Sequence, residues 1–264
     1  MALKVKNNTI IALMVSCTVS ACVLCATLVY DIIPKGAERI PRENFVSITI
    51  TKEISTDSCL ISEDCPEGAS FEISQASGMS FLSKSGYTYI LTANHFCEEF
   101  DRGPNLFEWE ESYLEIKSTI QISDYWGYEW EGEIVGQDHE YDLCLIRSPE
   151  MNRVKPIKFA RSMPHQGGRI YTISSPLSII SPGAVPQFEG IFSGCDFSEN
   201  CFFSVPATFG SSGSLILDED FKIIGMIQSA SPALQPLSMG CNIYPIKNFL
   251  RQSGEELGTL LLVP

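Results

Sequence analysis

The stretch Tyr87-Thr88-Tyr89-Ile90-Leu91-Thr92-Ala93-Asn94-His95-Phe96-Cys97 carries an aromatic and β-branched run into a histidine. Runs of that composition between polar turn segments read as strands, so His95 is expected at a strand end, where its side chain can face a cleft. The same signal recurs on both sides. Residues 45–50 and 71–74 precede the histidine, with Phe45, Val46, Ile48 and Ile50 alternating with Ser and Thr, and residues 113–122 and 133–135 follow it. A second group covers residues 155–160, 169–173, 188–192, 202–205, 214–217 and 223–227. Heptads are absent, and this many short strands suits barrels or sandwiches. One late helix is expected after Pro245, where Ile246, Phe249 and Leu250 share a face and Gly254 supplies a stop.

Composition narrows the classes further. With 264 residues, 44% hydrophobic and 19% charged, the chain is neither disordered nor fibrous. A formal net charge of −14 repels a phosphate backbone, so nucleic acid is not an expected partner. Between Glu98 and Glu133 the acidic residues far outnumber Arg102 and Lys117, with Trp109, Trp126 and Trp130 interleaved. That stretch reads as a solvated, aromatic-supported insertion; an EF-hand spacing for calcium is missing from it.

Residues 9–30 carry no charge. At about 1.5 Å of rise per residue they can cross a hydrocarbon core of roughly 30 Å. Lys4 and Lys6 lie before them, which predicts export of everything after Asp31 to the periplasmic or extracellular side. A cleaved signal peptide is the competing reading, although its apolar region is usually shorter. Val19-Ser20-Ala21-Cys22 also resembles a lipoprotein cleavage box, but the apolar run continues past Cys22. The expected organisation is an anchor or uncleaved signal over residues 1–31, a linker over 32–43 and a folded domain over 44–264, tethered to a membrane by a single pass.

Of ten cysteines, Cys17, Cys22 and Cys25 fall in the apolar segment. Cys59 with Cys65 and Cys195 with Cys201 bracket short loops, and each pair can close a local disulfide in an oxidising compartment. Cys97, Cys144 and Cys241 remain, an odd number whose connectivity spacing does not fix. Among the seven cysteines outside the apolar segment, no spacing makes a CxxC metal site.

A serine hydroxyl is a poor nucleophile near neutral pH; acyl transfer needs an imidazole to take its proton, a carboxylate to orient that imidazole and donors for the oxyanion. Three histidines are available. His139, in Gln137-Asp138-His139-Glu140, and His165, beside Pro164, read as solvated loop residues, which leaves His95. Asp142 directly precedes the apolar run Leu143-Cys144-Leu145-Ile146, so a strand would fix it; Asp138 reads as a turn acceptor. Ser212 lies in Phe209-Gly210-Ser211-Ser212-Gly213-Ser214, where glycines permit the tight backbone that aims successive N–H groups into one hole.

These residues occur in the order His, Asp, Ser. Thr92-Ala93-Asn94-His95, Asp142-Leu143-Cys144-Leu145-Ile146 and Gly210-Ser211-Ser212-Gly213-Ser214 resemble the histidine, aspartate and nucleophile motifs of chymotrypsin-like, trypsin-fold serine proteases. Ser77-Gly78-Met79-Ser80-Phe81-Leu82, Ile134-Val135-Gly136-Gln137-Asp138, Ile223-Ile224-Gly225-Met226-Ile227 and Gly240-Cys241-Asn242-Ile243-Tyr244-Pro245-Ile246 are similar to segments of the compact bacterial high-temperature-requirement branch, here with no stretch after Pro264 for its PDZ domain. Departures are Ser211 for the usual Asp or Asn, Ser214 for the second Gly, Leu215 for Pro and Asn94 for Ala. The resemblance implies an all-β fold of two six-stranded antiparallel barrels with a C-terminal helix. It also implies a polypeptide substrate, a triad of His95, Asp142 and Ser212, an oxyanion hole from the N–H groups of Gly210 and Ser212, and no metal or organic cofactor. Pro206 would form the pocket floor, where it offers no carboxylate to Lys or Arg. An inactive protease-like binding module is the alternative, since a fold does not guarantee activity. An α/β-hydrolase is disfavoured, because its triad runs in a different order.

Overall fold

The expected strands close, in the computed structural model, into two six-stranded antiparallel barrels. The structure describes residues 40–54, 70–83, 86–101, 116–231 and 233–253. The first barrel holds β1 (Phe45–Ile54), β2 (Ser70–Leu82), β3 (Thr88–Ala93), β4 (Ile116–Asp124), β5 (Glu129–Asp138) and β6 (Leu143–Ser148), with helix α1 (Asn94–Asp101) following β3. The second holds β7 (Arg169–Ile173), β8 (Gln187–Cys195), β9 (Asn200–Phe203), β10 (Leu215–Leu217), β11 (Ile223–Ala230) and β12 (Ser238–Asn242), and helix α2 (Ile243–Gln252) follows. Around the first barrel the order is β1-β2-β3-β6-β5-β4, and around the second β7-β8-β9-β12-β11-β10, the same path taken twice.

Side-chain alternation decides which strands meet the other barrel. On β3 and β6, Ile90, Cys144 and Ile146 fill the first barrel beside Val46, Ile48, Ile50, Ile120 and Ile122. Their neighbours Leu91, Ala93, Leu143 and Leu145 belong to the cluster that continues into Ile173, Leu215 and Ile227 of the second barrel. Both strands are therefore buried on two faces, which is why they read as unbroken apolar runs. By contrast β5 alternates fully, with Glu129, Glu131 and Glu133 exposed and Trp130 and Ile134 turned inward. Part of the acidic stretch is thus a solvated sheet face.

Several expectations need correction. Residues 155–160 join no sheet; Phe159 makes only an isolated bridge to Ile223, and Lys158 and Ala160 exchange backbone bonds with Ile223. The alternation there reports burial of Ile157 and Phe159 against the core, not strand pairing. His95 lies in the first turn of α1, not at the end of a strand. Helix α2 begins at Ile243 rather than after Pro245, because Asn242 caps it by accepting the N–H of Tyr244 at 2.8 Å and a proline is tolerated in the first turn. Its expected stop, Gly254, lies outside the described residues, as do residues 9–30 and the Cys59 and Cys65 pair. No helix among the described residues is long and apolar enough to cross a membrane.

The remaining cysteines now separate. Cys195 bonds Cys201 and Cys97 bonds Cys144. Cys241 is free and buried, and burial pushes its thiol pKa upward, which keeps it protonated and inert.

Candidate active site

The β3–β6 ladder ends on the pair Ala93 and Leu143. His95 follows that end on one strand and Asp142 precedes it on the other, so residues 47 apart in sequence leave the sheet side by side. Asp142 Oδ2 lies 2.8 Å from His95 Nδ1, and Oδ1 accepts the backbone N–H of His95 at 2.7 Å. The carbonyl of Asp142 also accepts the N–H of Asn94 at 3.1 Å. A carboxylate from a distant segment thereby caps α1, where the helix dipole favours negative charge. Asp142 sits at φ 50°, a left-handed conformation that Asp tolerates better than most residues. Its turn is braced from the second barrel by Gln228, whose amide donates to the carbonyls of Tyr141 and, at 3.3 Å, of Asp142.

The His95 side chain is 48% exposed and that of Asp142 28%, so the pair faces an open region while remaining locked to each other. The bond to Asp142 holds the imidazole pKa above its ordinary value, against some desolvation, with further help from the charges of Asp142, Glu98 and Glu99. With Nδ1 engaged, Nε2 is the ring nitrogen left to exchange protons.

Ser212 comes from the second barrel, in the segment between β9 and β10, and is half-buried. Its carbonyl accepts the N–H of Ser77 on β2 at 2.9 Å, tying the serine loop to the first barrel. Gly213 makes this approach possible. A Cβ there would stand 2.1 Å from Ser77 O and 2.3 Å from Thr92 Oγ1, and its φ is +84°. Gly210, at φ +85°, packs as closely on the other side, where a Cβ would meet Ser175 O at 2.4 Å. Ser211, which replaces a charged or amide side chain of the resembling motif, is buried; its Oγ accepts the N–H of Thr208 at 3.2 Å and so closes the loop on itself. No hydrogen bond joins Ser212 Oγ to His95 among the described residues.

The other histidines differ. His165 is exposed. His139 is 70% exposed, yet its Nδ1 lies 3.0 Å from Glu98 Oε1 and 3.0 Å from Asn94 Nδ2, so it belongs to the outer side of α1. Pro206 is half-buried between the buried Val205 and Ala207, on the path from β9 into the serine loop. Among the described residues no group of three or more His, Cys, Asp or Glu is placed to hold a metal ion. Sequence reasoning missed Gln228 and left open the bond between Cys97 and Cys144, each cysteine two positions after a member of the His95–Asp142 pair. Neither has a local signature, since both depend on partners brought in by the fold.

The sequence model of the trypsin-like peptidase domain matches residues 76–226, more than half of the 264. The chain belongs to the trypsin-like peptidase domain family. Serine protease Do-like HtrA of Bacillus subtilis (strain 168) is 26% identical to this trypsin-like peptidase domain over 194 residues, which cover 69% of this chain and 39% of that protein. The crystal structure of the serine endoprotease from Yersinia pestis matches with a TM-score of 0.56 at 18% identity, covering 81% of this chain and 64% of that one, a likeness of fold. In both cases the chain spans less than two thirds of the relative's length.

Proposed function

We propose that the protein is a serine endopeptidase in which His95, Asp142 and Ser212 form the catalytic triad. The observation that carries this reading is the double engagement of Asp142 with His95, through the ring Nδ1 at 2.8 Å and the backbone N–H at 2.7 Å. Such a bond selects the tautomer that leaves Nε2 free to accept a proton. Ser212 Oγ attacks the peptide carbonyl carbon as His95 Nε2 takes the hydroxyl proton, and Asp142 stabilises the imidazolium that forms. The N–H groups of Gly210 and Ser212 receive the oxyanion, each donor being worth on the order of 3 kcal/mol in the transition state. His95 then passes the proton to the leaving amine, giving an acyl-enzyme. Water, deprotonated by His95, attacks the ester and releases the acid product with the proton returned to Ser212. A free enzyme commonly holds its nucleophile and base at a looser distance than the Michaelis complex does, so the missing Ser212–His95 bond is compatible with this cycle.

Pro206 in the pocket floor favours a small or apolar residue before the cut, because it brings no charge to pair with Lys or Arg. Residues 1–31 serve as a membrane anchor with the peptidase domain on the exported side. A fluorophosphonate probe tests the central reading: wild type is labelled and Ser212→Ala is not. A folded wild type that stays unlabelled and cleaves no peptide library would refute it in favour of a tethered binding module.

A further inference from the structure

The mechanism above leaves the buried hydroxyl of Ser77 without a role. Ser77 lies on β2 and is fully buried. Its Oγ donates to the carbonyl of Gly210 at 2.7 Å and accepts the N–H of Ser175 at 2.9 Å, while Ser175 Oγ lies 3.1 Å away and reaches the same Gly210 carbonyl at the longer distance of 3.4 Å. Its backbone N–H donates to the carbonyl of Ser212 at 2.9 Å. One residue of the first barrel thus grips the carbonyls of both residues whose N–H groups are assigned to the oxyanion, and these residues belong to the second barrel.

The rest of the loop shows why that grip matters. The C=O and N–H of a trans peptide point in opposite directions within one plane, so holding a carbonyl aims the N–H that follows. The carbonyl of Phe209 accepts the N–H of Leu177 at 2.7 Å, which aims the N–H of Gly210; that of Ser211 accepts the N–H of Ser214 at 3.1 Å, which aims the N–H of Ser212. Ser77 holds the two alternating planes, 210–211 and 212–213. Successive planes share a Cα, and Gly210 at φ +85° is the position where rotation meets least steric resistance. The chain of bonds from Ser175 N–H through Ser77 Oγ to Gly210 O is also mutually polarising, which strengthens it in a water-free site.

We infer that Ser77 is a positioning residue for the oxyanion hole, fixing the backbone of Gly210 and Ser212 across the barrel interface through a neutral hydroxyl. This rests on the proposed peptidase reading. Hydroxyl removal in Ser77→Ala leaves the backbone bond to Ser212 but takes the 2.7 Å donor from the Gly210 carbonyl, which keeps only the long 3.4 Å contact from Ser175 Oγ. The expected result is a fall in kcat of about 10- to 100-fold, between a misaligned and a deleted oxyanion donor, with KM within about twofold of wild type. Affinity for a peptide boronate, whose oxygen occupies the hole, falls with kcat. Ser175→Ala removes only the long 3.4 Å donor to the Gly210 carbonyl while retaining the bond from Ser175 N–H to Ser77 and the 2.7 Å bond from Ser77 to Gly210, so its kcat stays within about threefold.

Equal losses in the two variants, or a Ser77→Ala loss carried by KM, overturn the assignment. Amide hydrogen exchange of residues 209–213 is read in parallel: faster exchange in Ser77→Ala than in Ser175→Ala supports the grip, and unchanged exchange refutes it even if the wild type proves inert, an outcome that counts against the peptidase reading instead. Should Ser77→Ala not fold, Ser77→Cys, with a weak donor of similar size, is judged by the same criteria.

Discussion

The Cys97–Cys144 bond cross-links the two segments that carry His95 and Asp142, and its removal has a calculable cost. The bond spans 47 residues of sequence. Closing a loop of that length is worth about 4 kcal/mol at 25 °C in the chain-entropy model. For a domain of this size, each kcal/mol moves the melting temperature by about 2–4 °C, so Cys97→Ala with Cys144→Ala lowers it by roughly 8–16 °C. The Cys195–Cys201 bond spans only 6 residues and supplies the internal comparison. Its double alanine variant loses about 2 kcal/mol by the same reasoning. The assay is thermal unfolding without reductant, followed by circular dichroism, with kcat and the His95 imidazole proton resonance measured on each folded variant. Losing the first bond lowers kcat and shifts that resonance, because hydrogen bonds and apolar packing then hold α1 to the Asp142 segment without a covalent link. A melting temperature for the Cys97/Cys144 variant within about 3 °C of wild type, or a loss no larger than at Cys195/Cys201, refutes the account.

Two further expectations concern the site. Because Asp142, Glu98 and Glu99 raise the His95 pKa, and the base works only when neutral, kcat/KM rises with pH through an apparent pKa above the ordinary histidine value of about 6.5; Glu99→Gln moves this limb to lower pH, and a limb at or below the ordinary value contradicts the electrostatics. Gly213→Ala drives a Cβ into Ser77 O and Thr92 Oγ1 at a left-handed backbone position, so chemical denaturation finds it at least about 2 kcal/mol less stable, whereas Gly167→Ala, at φ +87° with nothing within 4 Å of the added carbon, loses only about 1 kcal/mol.

Most strands were legible because alternation and β-branched runs follow directly from a half-buried pleat. The His95, Asp142 and Ser212 segments were legible because each couples a polar residue to an adjacent strand or a glycine turn. What escaped depended on distant partners. Helix α1 is short, and the acceptor that caps His95 N–H is Asp142, brought in from 47 residues away, so its start has no local signal. Residues 155–160 have the alternation of a strand because one side packs on the core, yet among the described residues only Ile223 pairs with the segment backbone to backbone. Strand β12 was missed because Ser238, Gly240 and Asn242 lack strand character and pair only through β9 and β11. Gln228 braces Asp142 through backbone carbonyls, a contact for which many side chains could have served.

Dividing imidazole and carboxylate from hydroxyl between two separately laddered shells makes the proposed chemistry depend on the seam between them. Mild perturbants that loosen this seam, such as low denaturant or hydrostatic pressure, would silence turnover while each shell still gave an intact β spectrum, so enzymatic assay becomes a more sensitive reporter of their docking than any measure of secondary structure.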